Sequence, residues 1–340
     1  MSATTGSIHS AGFTEPRFRL PGCDVELPAM GLGTWAWGDK ATWGMNGYDR
    51  SYNFETIREA YRQSVAAGVT LLDTAEAYGN GVSERIIGQL LEEDPATASG
   101  VIVATKFMPF PWKVRLSSAL MASIEASLQR LKLPAVHLYQ IHGPISARSH
   151  RVMADALAAA YRAGLVKAVG VSNYSERETR ALHAELAKHG IPLATNQIEF
   201  SLLRTAPDSN GLLRACQELG IAVLAYSPIG QGRLTGKYSA SNPPPGQRRF
   251  SDYPMEDIEP IVAELQRIGE RHGGRTPSQV ALNWVMCKGA IPIPGAKNRL
   301  QAEQNAGALG WRLSDGDVRA LDRVSKPGQR KLFNRVWQHG

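Results

Sequence analysis

The sequence predicts an α/β fold, a single (β/α)8 barrel of the TIM type, and two observations carry that prediction. Eight short apolar runs recur along the 340 residues, and amphipathic helical patterns separate most of them. The runs are for the most part continuously apolar rather than alternating, as parallel strands covered on both faces must be. Length agrees, since a chain of this size is either two ordinary domains or one large barrel. Eight βα units favour closure of one sheet.

In chain order the runs are AMGLGTW (29–35), VTLLDTA (69–75), GVIVATKF (100–107) and AVHLYQIHG (135–143), then VKAVGVS (166–172), LATNQIEF (193–200), IAVLAYSP (221–228) and AIPIPGA (290–296). Helical patterns between them include NFETIREAYRQSVAAG, SSALMASIEASLQRL and SERETRALHAELAKHG. Ser175 and Glu178 form a capping-box pair. Thr276, Pro277 and Gln279 supply a cap, a proline at the first helical position and a reciprocal partner. Gly68, Gly164, Gly190, Gly220 and Gly289 each stand between a helical pattern and a strand, where a left-handed residue ends the helix. One feature favours a doubly wound sheet instead: Gly31, Gly33 and Ala36 fit the G-x-G-x-x-G/A dinucleotide pattern. WGDKATWGMNGYD follows it where that fold needs an amphipathic helix, so the barrel stands.

Two segments fall outside the alternation. Residues 18–28, FRLPGCDVELP, read as a small hairpin closing the N-terminal end of the barrel. Residues 229–255 form a long Gly/Pro-rich loop after the seventh strand, and a loop of that length in a compact domain is usually functional. The expected organisation is a flexible N-terminus (1–17), one barrel (18–325) and a basic C-terminal tail (326–340).

Composition excludes several classes. The hydrophobic content of 43% is ample for a core without a metal or disulfide staple. The net charge of +7 is scattered and lacks the interleaved aromatics of a nucleic-acid module, so no nucleic-acid partner is expected. Cys23, Cys216 and Cys287 form no CxxC or Cys/His cluster, which indicates neither a metal site nor a disulfide framework and suits a reducing, cytoplasmic setting. No apolar run reaches the roughly 18 residues of a membrane span, and Met1–Gly12 lacks the apolar core of a secretory signal.

Catalytic groups of barrels sit at the carboxyl ends of strands. Those ends carry Asp73, Lys106 and His142, with Tyr78 just past the second strand. Singly, an aspartate there is usually a cap, a tyrosine half-buried packing and a histidine a satisfied structural residue. Lys106 ends the apolar run VIVAT, so its ammonium must find a partner or water. Together the four suit proton delivery to a developing alkoxide. A phenol near pKa ~10 is too weak an acid at neutral pH, and a neighbouring ammonium lowers that value. An aspartate orients the ammonium, which is expected to lie near solvent, and a histidine can hydrogen-bond the reacting oxygen.

This set, with GLGTW (31–35), LLDTAEAYGNGVSERIIG (71–88), VGVSNYS (169–175), NQIEF (196–200) and AYSPIGQGRLTGKY (225–238), resembles the aldo-keto reductase superfamily across residues 18–325. GTWAWG, IPIPGAKN and GALGW are similar to its potassium-channel β-subunit and plant pyridoxal-reductase branch. The resemblance implies an NADP(H)-dependent reductase of aldehydes or ketones with Asp73, Tyr78, Lys106 and His142 as catalytic tetrad. It implies that Tyr226 stacks on the nicotinamide, that Ser172, Asn173 and Gln197 bind its carboxamide, and that Gly33, Thr34, Trp35 and Asp73 line that end. Ser227, Pro228, Ile229, Gln231, Lys237 and Arg248 are expected over the pyrophosphate. Gly295, Lys297, Gln301, Gln304 and Asn305 are expected at the adenosine end, Gln304 replacing a frequent glutamate. From the residues alone, GAKNRLQAEQN runs from the last strand into a helix, a place for an anion. The expected substrate pocket is Trp35, Tyr78, Phe107, Trp112 and His142, with Met108, Phe110 and Trp43 nearby. That aromatic lining makes pyridoxal, aryl aldehydes and cyclic ketones, including oxidised plant or fungal metabolites, the candidates. The alternative function is a cofactor-binding regulatory subunit of the channel-β kind with weak reductase activity. Oligomeric state stays open.

Overall fold

The computed structural model describes residues 13–38, 53–245, 250–329 and 336–340. Among these are a hairpin, β1 (Phe18–Arg19) with β2 (Glu26–Leu27), and eight further strands. These are β3 (Gly31–Gly33), β4 (Leu71–Asp73), β5 (Ile102–Phe107) and β6 (Leu138–Ile141), then β7 (Val169–Ser172), β8 (Leu193–Glu199), β9 (Ala222–Tyr226) and β10 (Ile291–Pro292). From β3 to β10 each strand pairs in parallel with the next in chain order. The two ends meet through a parallel bridge between Gly33 and Gly295, and Gly33 N–H donates to Pro294 O at 3.0 Å. Each of the eight apolar runs is therefore one strand of a barrel.

Strand alternation divides the core in two. Leu71, Ala104, Leu138, Ala168, Leu224 and Ile291 fill the barrel interior, and Leu20, Val25 and Leu27 of the hairpin pack into the same cluster from the N-terminal end. Leu72, Val103, Tyr139, Val171 and Ile198 face outward against helix residues such as Ile57, Ile124, Leu157 and Leu182. Each fully buried Leu, Ile or Val side chain among them stabilises the fold by about 1.5–3 kcal/mol. The interior parity positions the site. Two residues beyond Leu71, Ala104 and Leu224 stand Asp73, Lys106 and Tyr226, and four beyond Leu138 stands His142.

The capping logic holds. The helix Glu176–Ala187 opens on the Ser175/Glu178 box and the helix Pro277–Cys287 on the Thr276/Gln279 box. The five boundary glycines all adopt left-handed φ, from 67° to 84°.

Candidate active site

Lys106 is wholly buried, and its three N–H groups meet three acceptors: Asp73 Oδ1 at 2.6 Å, Thr74 O at 2.7 Å and Tyr78 Oη at 3.4 Å. Three acceptors for three donors is the environment of an ammonium. Burial pulls the Lys106 pKa below its ordinary value, and Asp73 works against that pull. The ammonium is not near solvent, as its place at a strand end suggests, because the interior face of β5 turns it under the mouth of the barrel. The other Asp73 oxygen accepts from Gln197 Nε2 at 2.7 Å. His142 lies 5.6 Å from Tyr78, ring edge to face, and 5.5 Å from Trp337. Burial, then the charge of Lys106, holds its pKa well below the usual value, so the imidazole is neutral at physiological pH.

Tyr78 sits on a turn whose backbone is clamped to the segment after β3. A Cβ on Gly79 would lie 2.0 Å from Gly38 O, and Gly79 also needs its φ of 57°. Only glycine allows that approach. Beneath the turn, Thr34 Oγ1 donates to Asp73 O at 2.9 Å, and Thr74 Oγ1 donates to Ser83 Oγ at 2.9 Å. Glu76 accepts from Met108 N–H at 2.7 Å and ties the turn to the loop after β5.

One cavity of about 1280 Å³ runs from this cluster along the carboxyl ends of the strands. Its inner end is lined by Gly33, Thr34, Trp35, Asp73, Tyr78, His142, Ser172, Asn173, Gln197 and Tyr226. Ser227, Pro228, Ile229, Gln231 and Lys237 follow, and Gly295, Lys297, Gln301, Gln304 and Asn305 line the far end. Lys297 is buried there beside the helix Arg299–Ala306, which Asn298 caps by accepting from Gln301 N–H at 3.0 Å. Arg299 is instead paired with Glu303 at 2.7 Å on the helix surface. Arg248 and Trp43 lie outside the described residues.

Two expected pocket residues do not line the cavity. Phe107 follows Lys106 in β5, so alternation turns it outward into the core between strand and helices, under Lys113 Nζ at 4.3 Å from its ring. Trp112 is 70% exposed and stacks on Phe110 with centroids 4.4 Å apart. Their places are taken by Phe250, from the long loop, and Trp337, from the C-terminal segment, beside Met108. Phe250 packs against Trp35 at 6.1 Å and Tyr226 at 5.3 Å. Neither residue carries a sequence signal, because each reaches the site from a segment distant in the chain from the strand ends.

Comparison with known proteins gives concordant matches. A model described as the Aldo/keto reductase family matches residues 29–326. The chloroplastic pyridoxal reductase of Arabidopsis thaliana is 37% identical over 326 residues, which is 92% of this chain and 87% of that protein. A crystal structure of an aldo/keto reductase from Klebsiella pneumoniae in complex with NADP and acetate aligns with a TM-score of 0.71 at 26% identity, over 94% of this chain and 98% of its own. A second from that organism, in complex with NADPH, aligns over the same shares with a TM-score of 0.72 at 25% identity.

Proposed function

The chain belongs to the aldo/keto reductase family, and from that premise we propose that it reduces flat, apolar aldehydes or ketones to alcohols, reversibly, with Tyr78 as proton donor. Membership makes it an NADP-dependent oxidoreductase. The donor set of the cavity fits the dinucleotide. In this reading Tyr226, Ser172, Asn173 and Gln197 hold the nicotinamide end. Residues 227–237 with Lys237 lie along the pyrophosphate, and Lys297, Gln301, Gln304 and Asn305 take the adenosine end with its 2′-phosphate. When bound, NADPH supplies the hydride.

The protein's own residues then manage the proton and the developing charge. Because Lys106 donates to Tyr78 Oη, the phenol keeps its own O–H to give to a substrate oxygen, and the ammonium stabilises the phenolate left behind. Asp73 and Gln197 hold Lys106 in place from the far side. Neutral His142 has one N–H to offer to the same oxygen. Trp35, Met108, Phe250 and Trp337 line the cavity beside this position and give it apolar walls. Such walls favour a ring-bearing carbonyl compound, and pyridoxal, aryl aldehydes and cyclic ketones are the candidates. Three unpaired cysteines fit a reducing compartment such as the cytoplasm.

The observation that carries the proposal is the bridge from Asp73 through Lys106 to Tyr78, beside His142, at the inner end of the cavity. The test is Tyr78→Phe, assayed by NADPH binding and by oxidation of NADPH with an aryl aldehyde. Binding is expected to persist while turnover falls at least ~100-fold, the lower range for loss of a general acid. Undiminished turnover would remove Tyr78 from the reaction.

A further inference from the structure

Two buried amides, Gln197 and Asn173, line the cavity between Asp73 and Tyr226, and each is oriented from behind. Gln197 Nε2 donates to Asp73 Oδ2 at 2.7 Å, so its carbonyl Oε1 is the atom turned away from that contact. Asn173 is oriented by a longer chain that begins at Glu199. That carboxylate ends β8 and is buried, with Arg204 Nε at 3.9 Å. One of its oxygens accepts from Ser251 Oγ and the other from Gln338 Nε2 at 2.6 Å.

Gln338 Nε2 also donates to Tyr226 Oη at 2.7 Å. An amide nitrogen has only donors to give, so Tyr226 must accept there and direct its own proton to Asn173 Oδ1, at 2.8 Å. With its carbonyl occupied, Asn173 turns Nδ2 toward Ser172 Oγ at 3.1 Å and His142 O at 3.4 Å. The longer of these contacts is weak enough to exchange for a ligand oxygen. The pair thus presents one donor, Asn173 Nδ2, and one acceptor, Gln197 Oε1. A primary carboxamide has the complementary acceptor and donor.

We propose that Gln338, oriented by Glu199, is a positioning residue for the nicotinamide. It sets the direction of the Tyr226–Asn173 hydrogen bond and hence the polarity with which Asn173 meets the carboxamide. The segment 336–340 thereby completes the cofactor site. Without Gln338 the Tyr226 hydroxyl loses the donor that dictates its direction, and only Ser172 Oγ and the long contact to His142 O are left to hold the Asn173 amide. This rests on the reading above in which Tyr226, Asn173 and Gln197 hold the nicotinamide.

The test is Gln338→Met in the full chain, a change close in volume that removes the N–H donors. Dissociation constants are measured for NADPH and for 2′-phospho-ADP-ribose, which lacks the nicotinamide. NADPH binding is expected to weaken about three- to tenfold, the worth of one neutral hydrogen bond. Binding of the truncated nucleotide is expected to hold, and KM for NADPH to rise by a larger factor than kcat falls. Glu199→Gln is expected to give the same selective loss, and the double variant no more than either alone. Equal weakening of both ligands by Gln338→Met would reduce Gln338 to a structural role, and no weakening of either would also overturn the proposal. A wild-type protein that binds neither ligand would sink the dinucleotide reading itself, an outcome distinct from the other two.

Discussion

Lys106 has no spare donor and no exposed surface, so its charge depends on Asp73. Removing the carboxylate lets burial pull the lysine pKa further down, and a buried charge stripped of its partner costs about 3–5 kcal/mol. Asp73→Asn is therefore expected to displace the alkaline limb of the kcat/KM profile to lower pH, because the ammonium is lost earlier as pH rises. Lys106→Met is expected to lower turnover as severely as Tyr78→Phe at every pH. An unmoved alkaline limb in Asp73→Asn would show that the limb belongs to another group. His137 supplies a second pH effect. Its Nδ1 accepts from Val103 N–H at 3.2 Å, and burial, then Lys167, pulls its pKa down from 6.5 to about 4. Above pH 6.5 folded and unfolded chains are both neutral there. Between 6.5 and about 4 the unfolded chain takes up the proton first, so stability falls with pH across that window. His137→Asn keeps an acceptor for Val103 and removes the titration. Its melting temperature is expected to decline less than that of wild type over the window, and parallel declines would exclude His137 as a source. The types of both residues were legible in the sequence. Their burial was not, since it depends on what other strands and helices place around them.

The loop 229–255 shows how an element's behaviour is set by its anchors. Its sequence, rich in glycine and proline, offers no visible restraint on Lys237. In the structure, buried Arg233 donates to Gly230 O, Ser251 O and Phe250 O at 2.8, 2.8 and 2.6 Å, while Ser251 bonds to Glu199. Both ends of the loop are thus stapled to each other and to β8. Trypsin is expected to cut after Lys237 faster without NADPH than with it, and to spare Arg233 in both conditions. Equal rates at Lys237 would mean that the cofactor does not restrain that part of the loop. β5 teaches a related lesson. Its apolar run identifies a strand, yet an unbroken apolar run does not reveal which parity faces the interior. Alternation puts Lys106 and Phe107 on opposite faces, but which of the two faces the interior is decided only once the neighbouring strands are in register.

At the scale of the whole molecule, the cavity joins the first and last barrel strands, which meet at Gly33 and Gly295. Lys297 lies just beyond that seam, buried beside a capped helix N-terminus where an anion is favoured. A charge-assisted bond to a 2′-phosphate contributes roughly 1.5–3 kcal/mol, about tenfold or more in affinity. Lys297→Ala is therefore expected to raise KM for NADPH by about that factor and leave KM for NADH little changed. It is expected to diminish the rise in melting temperature that saturating NADPH gives wild type. A mutant with wild-type KM for NADPH would place the 2′-phosphate elsewhere.

The sequence by itself determined the eight strands, their order, the helix caps and the residues at the strand ends. Those features arise from local propensity and from periodicity, which are written along the chain. Tertiary structure alone decided that Lys106 is buried, that Phe107 and Trp112 are absent from the cavity wall, that Phe250 and Trp337 line it, and that Gln338 backs Tyr226. These depend on contacts between residues far apart in the chain, such as Glu199 with Gln338. No local pattern specifies them, because each exists only once the barrel has closed and the long loop and the C-terminal segment have packed across its mouth.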